Sequence, residues 1–313
     1  MFIINNQDQK NDLKHNVKTY CGLIALVGRP NVGKSTVMNH LIKQKISIVS
    51  RRPQTTQHKI TGVISLQDTQ FVFIDTPGFQ KKYINKLNTL LNASVVNSIS
   101  DVDVVVFVIE ASIFNEADVL VASILPKNSK VILVINKIDK LKNKLLLKEF
   151  ISYVKDKLSQ IQSLNILNTI TLAAKHNIGT TDLLSAIKSL LPVADFLYPE
   201  DALTNHDSKF LVSEIIREKI FHYLGEELPY NVIINIDSFV VEKKCITINA
   251  VIFVDKDSKK AIIIGNSGEM LKKIATKARI DMEKLLDNKV FLQIWVKVKK
   301  DCLNDPRFLS QFK

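Results

Sequence analysis

Gly28-Arg29-Pro30-Asn31-Val32-Gly33-Lys34-Ser35 is the stretch on which the reading of this chain turns. Just before it, Leu23 to Val27 has the composition of a buried strand, and just after it a helical pattern begins. That strand-to-helix setting is what a Gly-x-x-x-x-Gly-Lys-Ser phosphate loop requires. In such a loop Gly28 and Gly33 let the backbone curl until its N–H groups point at phosphate oxygens. Lys34 then reaches the β and γ oxygens, and the Ser35 hydroxyl is placed for Mg²⁺.

Outward from this loop, short β-branched runs alternate with helix-like stretches from Gly22 to about Leu191. The runs are Leu23 to Val27, Phe71 to Ile74, Val102 to Ile109, Val131 to Ile135 and Thr169 to Leu172. They are apolar on both faces, which predicts an α/β fold with a mostly parallel sheet and helices on both sides. Two further motifs fall at strand ends. Asp75-Thr76-Pro77-Gly78 follows Lys34 by about 40 residues, where a carboxylate can hold Mg²⁺ through water and the Gly78 N–H can meet a γ-phosphate. Asn136-Lys137-Ile138-Asp139 ends a later strand, at the edge where doubly wound sheets bind ligands. The Asp139 carboxylate can accept hydrogen bonds from the guanine N1–H and N2 amine, a donor pair that adenine lacks, so GTP is favoured over ATP.

With Gln54-Thr55-Thr56-Gln57 as the switch segment, these motifs resemble the translation-factor class of GTPases, most closely the Era family. The resemblance implies GTP hydrolysis to GDP with Mg²⁺ held by Ser35, Asp75 and a switch threonine, Thr56 first and Thr55 next. Two departures stand out. Ala173-Ala174 occupies the position of the usual Ser-Ala, leaving the Ala174 N–H for guanine O6 without a bracing hydroxyl. Phe79 follows the Asp-Thr-Pro-Gly motif, where Ras-like enzymes carry a water-orienting glutamine. The expectation is slow intrinsic hydrolysis that rises when a partner orders the switch regions. Lys34, Asn31, Thr56 and Gly78 form the catalytic set, and Asn31 matches an asparagine that helps hold a stimulatory K⁺ in related GTPases.

The segment Leu191 to Asp207, with two prolines and four acidic residues, breaks the α/β rhythm and reads as a linker. Beyond it come an amphipathic helix around Phe210 to Leu224, strands near Val232 to Val241 and Cys245 to Val254, a Gly265-Asn266-Ser267-Gly268 turn that opens a second helix, and a strand from Val290 to Val298. This is a small α+β domain. From 256 to 300 twelve Lys/Arg face five Asp/Glu, an excess that suits an anionic partner. The turn resembles the Gly-x-x-Gly loop of a type II KH domain, which packs against the backbone of about four nucleotides.

The Era resemblance extends through Tyr198-Pro199-Glu200-Asp201, Ile216-Arg217-Glu218-Lys219, Ala278-Arg279-Ile280-Asp281-Met282-Glu283 and Leu292-Gln293-Ile294-Trp295-Val296-Lys297-Val298. It implies binding to the 3′ end of small-subunit (16S) ribosomal RNA, a role in 30S assembly, and peripheral contact with the inner membrane. The RNA set is then Arg217, Gly265 to Gly268, Lys272, Lys273, Lys277 and Arg279. Asn266 and Ser267 are neutral where the family usually carries a lysine, and the helix lysines can equally be solvated surface.

The expected layout is a loose extension over 1–19, a GTPase domain over 20–190, the linker over 191–207, a KH domain over 208–300 and a tail over 301–313. Composition bounds the rest. A net charge of +12 suggests nucleic acid or an acidic surface, although only six of the 43 basic residues are arginine and an AT-rich genome would give the same bias. Three scattered cysteines lack zinc or disulfide spacing, and the longest apolar run is too short to span a bilayer. A soluble, cytoplasmic monomer is the expectation. The alternatives are a passive RNA-binding module with a nucleotide-holding G domain, and a GTPase of the same class acting on another RNA.

Overall fold

The computed structural model describes residues 18–50, 60–77, 95–96, 98–141, 143, 146–161, 164–225, 228 and 232–300. Thr55, Thr56, Gly78, Phe79, most of the N-terminal extension and the tail lie outside them.

The N-terminal domain runs β1 (Tyr20–Val27), α1 (Lys34–Ile42), β2 (Ile60–Leu66), β3 (Thr69–Asp75), β4 (Val104–Glu110), α2 (Glu116–Ser123), β5 (Lys130–Asn136), α3 (Leu146–Ile161), β6 (Asn165–Thr171) and α4 (Thr180–Lys188). Its sheet has the order β2-β3-β1-β4-β5-β6 and is parallel except for β2, which pairs antiparallel with β3. β3 and β4 are buried along their whole length because both sheet faces are covered. One face packs Leu26, Val37, Met38 and Phe73 against α1 and α4; the other packs Val27, Phe107, Val121 and Val154 against α2 and α3. Each such side chain contributes about 1.5–3 kcal/mol on burial. The parallel order brings the C-terminal ends of β1, β3, β5 and β6 to one edge, so the four nucleotide motifs meet there.

The segment read as a linker is clasped onto this sheet. The side chain of Gln70, fully buried on β3, accepts from the Leu197 and Tyr198 N–H groups, both at 2.9 Å, and donates to the Tyr198 carbonyl at 2.8 Å. Farther on, the Val63 N–H donates to the Leu203 carbonyl at 2.9 Å, and the Thr204 hydroxyl donates to the Thr61 carbonyl at 2.7 Å. A buried amide satisfied on both of its polar atoms fixes the exit path of the chain.

The C-terminal domain contains α5 (Ser208–Tyr223), β7 (Ile233–Val241), β8 (Ile246–Val254), α6 (Asp257–Ile264), α7 (Glu269–Leu286) and β9 (Val290–Val298). The three strands form a sheet in the order β7-β8-β9, antiparallel then parallel, with the helices on one face. Asp207 caps α5 by accepting from the Phe210 N–H at 2.8 Å. On α5, Val212, Ile215, Ile216 and Ile220 are buried in the core, so its apolar stripe is committed to packing rather than to a membrane surface. Among the described residues no helix is long and apolar enough to cross a membrane.

The two domains touch through Lys45, three residues beyond α1. Its ammonium lies 2.5 Å from Glu218 and 3.0 Å from Asp281, and Asp281 is also bonded by Lys219. Burial alone would lower the Lys45 pKa, but Glu218 and Asp281 outweigh it and hold the pKa above its ordinary value. Gln44 adds a hydrogen bond to the Leu285 carbonyl at 3.4 Å.

Candidate functional site

The phosphate loop is shaped by left-handed backbone. Gly33 has φ 104°, and a Cβ there would lie 2.4 Å from Asn136 Nδ2, so no larger residue fits. Asn31 also has positive φ, at 65°. The loop ends at the N-terminus of α1, whose first N–H groups have no intrahelical acceptor and form an anion site. Lys34 is buried beneath it and donates to the Gly28 carbonyl at 3.0 Å and the Arg29 carbonyl at 3.2 Å. Burial lowers the Lys34 pKa to about 8, with nearby Asp75 pulling it back up and Arg29 pressing it further down.

Ser35 Oγ donates to Asp75 Oδ2 at 2.6 Å, and Ser47 Oγ donates to the same oxygen at 2.8 Å. This group of hard oxygen donors beside a phosphate loop fits Mg²⁺, which takes few protein ligands and keeps most of its waters. Thr76, next along, anchors its hydroxyl on the Leu26 carbonyl at 2.8 Å, and Pro77 follows at the end of the described segment.

The base side is tied to the phosphate side. Asn136 donates through Nδ2 to the Val32 carbonyl at 2.9 Å and accepts at Oδ1 from the Ala174 N–H at 3.2 Å. The Ala174 N–H, expected at a guanine O6, bonds Asn136 here, and the residue is buried. Ala173, also buried, bonds through its N–H to the Ile178 carbonyl. Lys137 has φ 64° and reaches back to the Asn31 carbonyl at 2.5 Å. Ile138 and Asp139 lie in the short 3-10 turn that follows β5, with Asp139 exposed at the mouth of the site.

Arg29, expected among the nucleotide ligands, instead turns its guanidinium onto two carboxylates. Nε donates to Asp118 Oδ2 at 3.1 Å, and the Glu110 carboxylate lies 3.5 Å away. Glu110 also bonds Lys137 at 2.8 Å and Lys140 at 3.0 Å. The Arg29 backbone carbonyl accepts from Lys34. Asp118 and Glu110 were not legible as site residues. The one local signal, Asn115 three positions before Asp118, marks only a capping box at the start of α2. Asp118 is fully buried, and burial raises its pKa, against the pull of Arg29. Replacing it with alanine leaves Arg29 without its buried partner, and chemical denaturation should show a loss of about 3 kcal/mol.

A cleft of about 1600 Å³ runs from Pro30, Lys34 and Lys137 past Lys45 to Glu218 and His222 of the C-terminal domain. In that domain Gly265 has φ 73° and ψ −180°, and a Cβ there would meet Met270 Cβ at 2.6 Å. Ser267 and Gly268 also have positive φ, and Asn266 and Ser267 stand exposed at the tip. Lys272, Lys273 and Lys277 are exposed along α7, with Lys273 over the Tyr223 ring at 4.6 Å. Two arginines of the expected RNA set are engaged within the protein. Arg217, its side chain only 11% exposed, is paired with buried Glu214, and Arg279 bonds Glu283 at 2.8 Å. Arg217 is thus half of a buried ion pair within α5, three residues from its partner.

A phosphate loop, a guanine-type Asn-Lys-x-Asp turn and a Gly-x-x-Gly loop on a three-stranded α+β domain define a P-loop GTPase joined to a KH domain. The family described as 50S ribosome-binding GTPase matches residues 23–137, and the KH domain family matches 219–303. The chain is 49% identical to the GTPase Era of Chromobacterium violaceum over 94% of its length and 97% of the relative's. It is also 49% identical to GTPase Era of Neisseria meningitidis serogroup B, over 93% and 94%. Two solved structures superpose with a TM-score of 0.86 at 32% identity. One is an Era variant from Aquifex aeolicus bound to GDP and AlF4⁻, covering 94% of this chain and 99% of its own. The other, covering 94% and 98%, is Era with MgGDPNP and nucleotides 1506–1542 of 16S ribosomal RNA. The chain belongs to the Era family of GTPases, and its reaction is hydrolysis of GTP.

Proposed function

We propose that this protein couples GTP hydrolysis to binding of the 3′ end of small-subunit ribosomal RNA during 30S assembly. In this reading the α1 N-terminus and Lys34 hold the β and γ phosphates, and Asp139 selects guanine. Ser35, Asp75 and Thr56 hold Mg²⁺, which when bound offsets phosphate charge. Phosphoryl transfer depends on positioning and charge stabilisation, so no side chain needs to act as a base, and Phe79 leaves orientation of the water to an ordered switch. The Gly265 to Gly268 loop packs on the RNA backbone, with Lys272, Lys273 and Lys277 as phosphate contacts. The protein works in the cytoplasm as a monomer, touching the inner membrane at most peripherally.

The observation that carries the reading is Lys45. It joins the exit of the phosphate-binding helix α1 to Glu218 and Asp281, on the two helices that pack around the Gly-x-x-Gly side of the KH domain. Support also comes from the relative solved with nucleotides 1506–1542 of 16S ribosomal RNA.

The test is GTP turnover in K⁺ buffer with an oligonucleotide copying the 3′ end of the small-subunit RNA, beside a scrambled control. Stimulation by the true sequence alone is expected. Equal rates with both would shift the protein to another RNA. Equal basal rates in Na⁺ and K⁺ would remove the K⁺ role given to Asn31. Lys45→Ala should keep the basal rate within about twofold and lose most of the RNA stimulation, because it cuts the ionic contact between the domains.

A further inference from the structure

The KH sheet has two faces, and the site described so far uses only the one that carries helices. Residues paired directly across neighbouring strands share a face. On β8, Ile246, Ile248, Ala250, Ile252 and Val254 point into the core beneath α5, α6 and α7. The alternate residues point the other way. Thr247 pairs with Val240 and Phe291, Asn249 with Ser238 and Gln293, and Val251 with Asn235 and Trp295.

Two large rings therefore stand on the helix-free face of the edge strand β9, Phe291 at 52% exposure and Trp295 at 45%. Four residues of strand separate them by about 13 Å, enough for each ring to take its own planar partner. Between them lies the Gln293 amide, beside Asn249, whose Nδ2 donates to Ser238 Oγ at 2.8 Å.

Charge at the ends of this face favours an anionic strand. Lys297 follows Trp295 on the same face, while exposed Lys243, Lys244 and Lys289 gather at the opposite end, by Phe291. Among the described residues the acidic neighbours include Glu242 in the β7–β8 turn, Asp287 two positions before Lys289, and Asp237 on the far strand β7, the last held by Asn235 at 2.5 Å. A permanent protein interface would concentrate apolar side chains and exclude lysine from its core. Rings spaced by amides and ended by lysines are what a sheet offers to single-stranded nucleic acid: stacking for the bases, amides for their edges, cations for the phosphates.

We propose that the outer face of this sheet is a second platform for single-stranded RNA, on which bases stack on Trp295 and Phe291. It extends the ribosomal RNA reading: β9 is the sheet edge against which α7 packs, so a strand leaving the Gly-x-x-Gly loop reaches the rings by rounding that edge. A Gly-x-x-Gly loop alone holds about four nucleotides.

Trp295 is the only tryptophan in the chain, which makes its emission a direct probe. The full chain is titrated with dye-labelled oligonucleotides of about four and about twelve nucleotides from the small-subunit RNA 3′ end, and with oligouridylate of the longer length, recording dye anisotropy and tryptophan emission together. Both ribosomal oligonucleotides should raise anisotropy, and only the longer one should quench the tryptophan. Trp295→Ala and Phe291→Ala should each weaken the longer RNA roughly tenfold and leave the shorter unchanged, with Phe291→Tyr restoring the parent affinity. Saturating anisotropy with unchanged emission overturns the platform, as does parent affinity for the longer RNA in both alanine variants. Emission that responds to RNA-free 30S proteins but to no RNA overturns it in favour of a protein partner. Quenching by oligouridylate without any binding of the ribosomal sequences would uphold the platform and remove the 3′-end reading.

Discussion

Lys34→Ala should weaken GDP and GTP binding about a thousandfold, measured by displacement of a fluorescent guanine nucleotide. The residue is only 6% exposed, and its ammonium rests on two backbone carbonyls, Gly28 and Arg29, which hold a cation less well than phosphate oxygens do. Truncating one partner of a buried, hydrogen-bonded charge pair costs about 2–5 kcal/mol, and a loss of about 4 kcal/mol within that range is a thousandfold.

The lowered pKa adds a second signature. In the free protein Lys34 titrates at about 8 because it is buried, and phosphate beside it must raise that value. Nucleotide affinity should therefore be level below pH 8 and fall by up to tenfold per unit above it, a slope absent from the alanine variant. The folding contribution runs the other way. The folded pKa of about 8 lies below the ordinary 10.5, so between those values the unfolded chain binds the extra proton. Stability of the nucleotide-free protein relative to Lys34→Ala should thus rise from pH 8 to 10.5. A flat affinity profile across pH 7–9 would remove Lys34 from the phosphate site.

Asp139→Asn should exchange guanine for xanthine preference. The carboxylate stands exposed in the short turn that follows β5, with His176 Nε2 3.7 Å from it. Asparagine keeps one acceptor and replaces the other with a donor, so a guanine donor meets a donor, whereas the C2 oxygen of xanthine gains a partner. Losing one charge-assisted bond and opposing two donors costs on the order of 3 kcal/mol, or about a hundredfold in GDP affinity. Competition between GDP and XDP for the variant reads this directly, and parent-like GDP affinity would mean that another group selects the base.

Much of the first domain was legible because its motifs are local. Gly28 to Ser35 needs only its own backbone geometry, and the all-buried runs of β4 and β5 read as central strands without knowledge of their neighbours. β2 escaped because Gly62 interrupts its apolar run and its strand character comes from pairing with β3. α6 escaped because Ile262, Ile263 and Ile264 favour strand by propensity, and packing of Ile263 into the core overrides that preference.

By itself the sequence determined the order of the nucleotide motifs, the phosphate loop and its lysine, the guanine-selecting turn and the glycine loop of the second domain. All are contiguous, and their backbone chemistry is written in adjacent residues. Only the tertiary structure decided how distant residues are committed. It turned Arg29 toward Asp118 and Glu110, engaged the Ala174 N–H with Asn136, clasped the linker on Gln70 and set Lys45 between Glu218 and Asp281. Most of these contacts join residues tens to hundreds of positions apart. A charged or polar side chain takes whichever partner the packed fold brings within reach, and no local pattern records that choice.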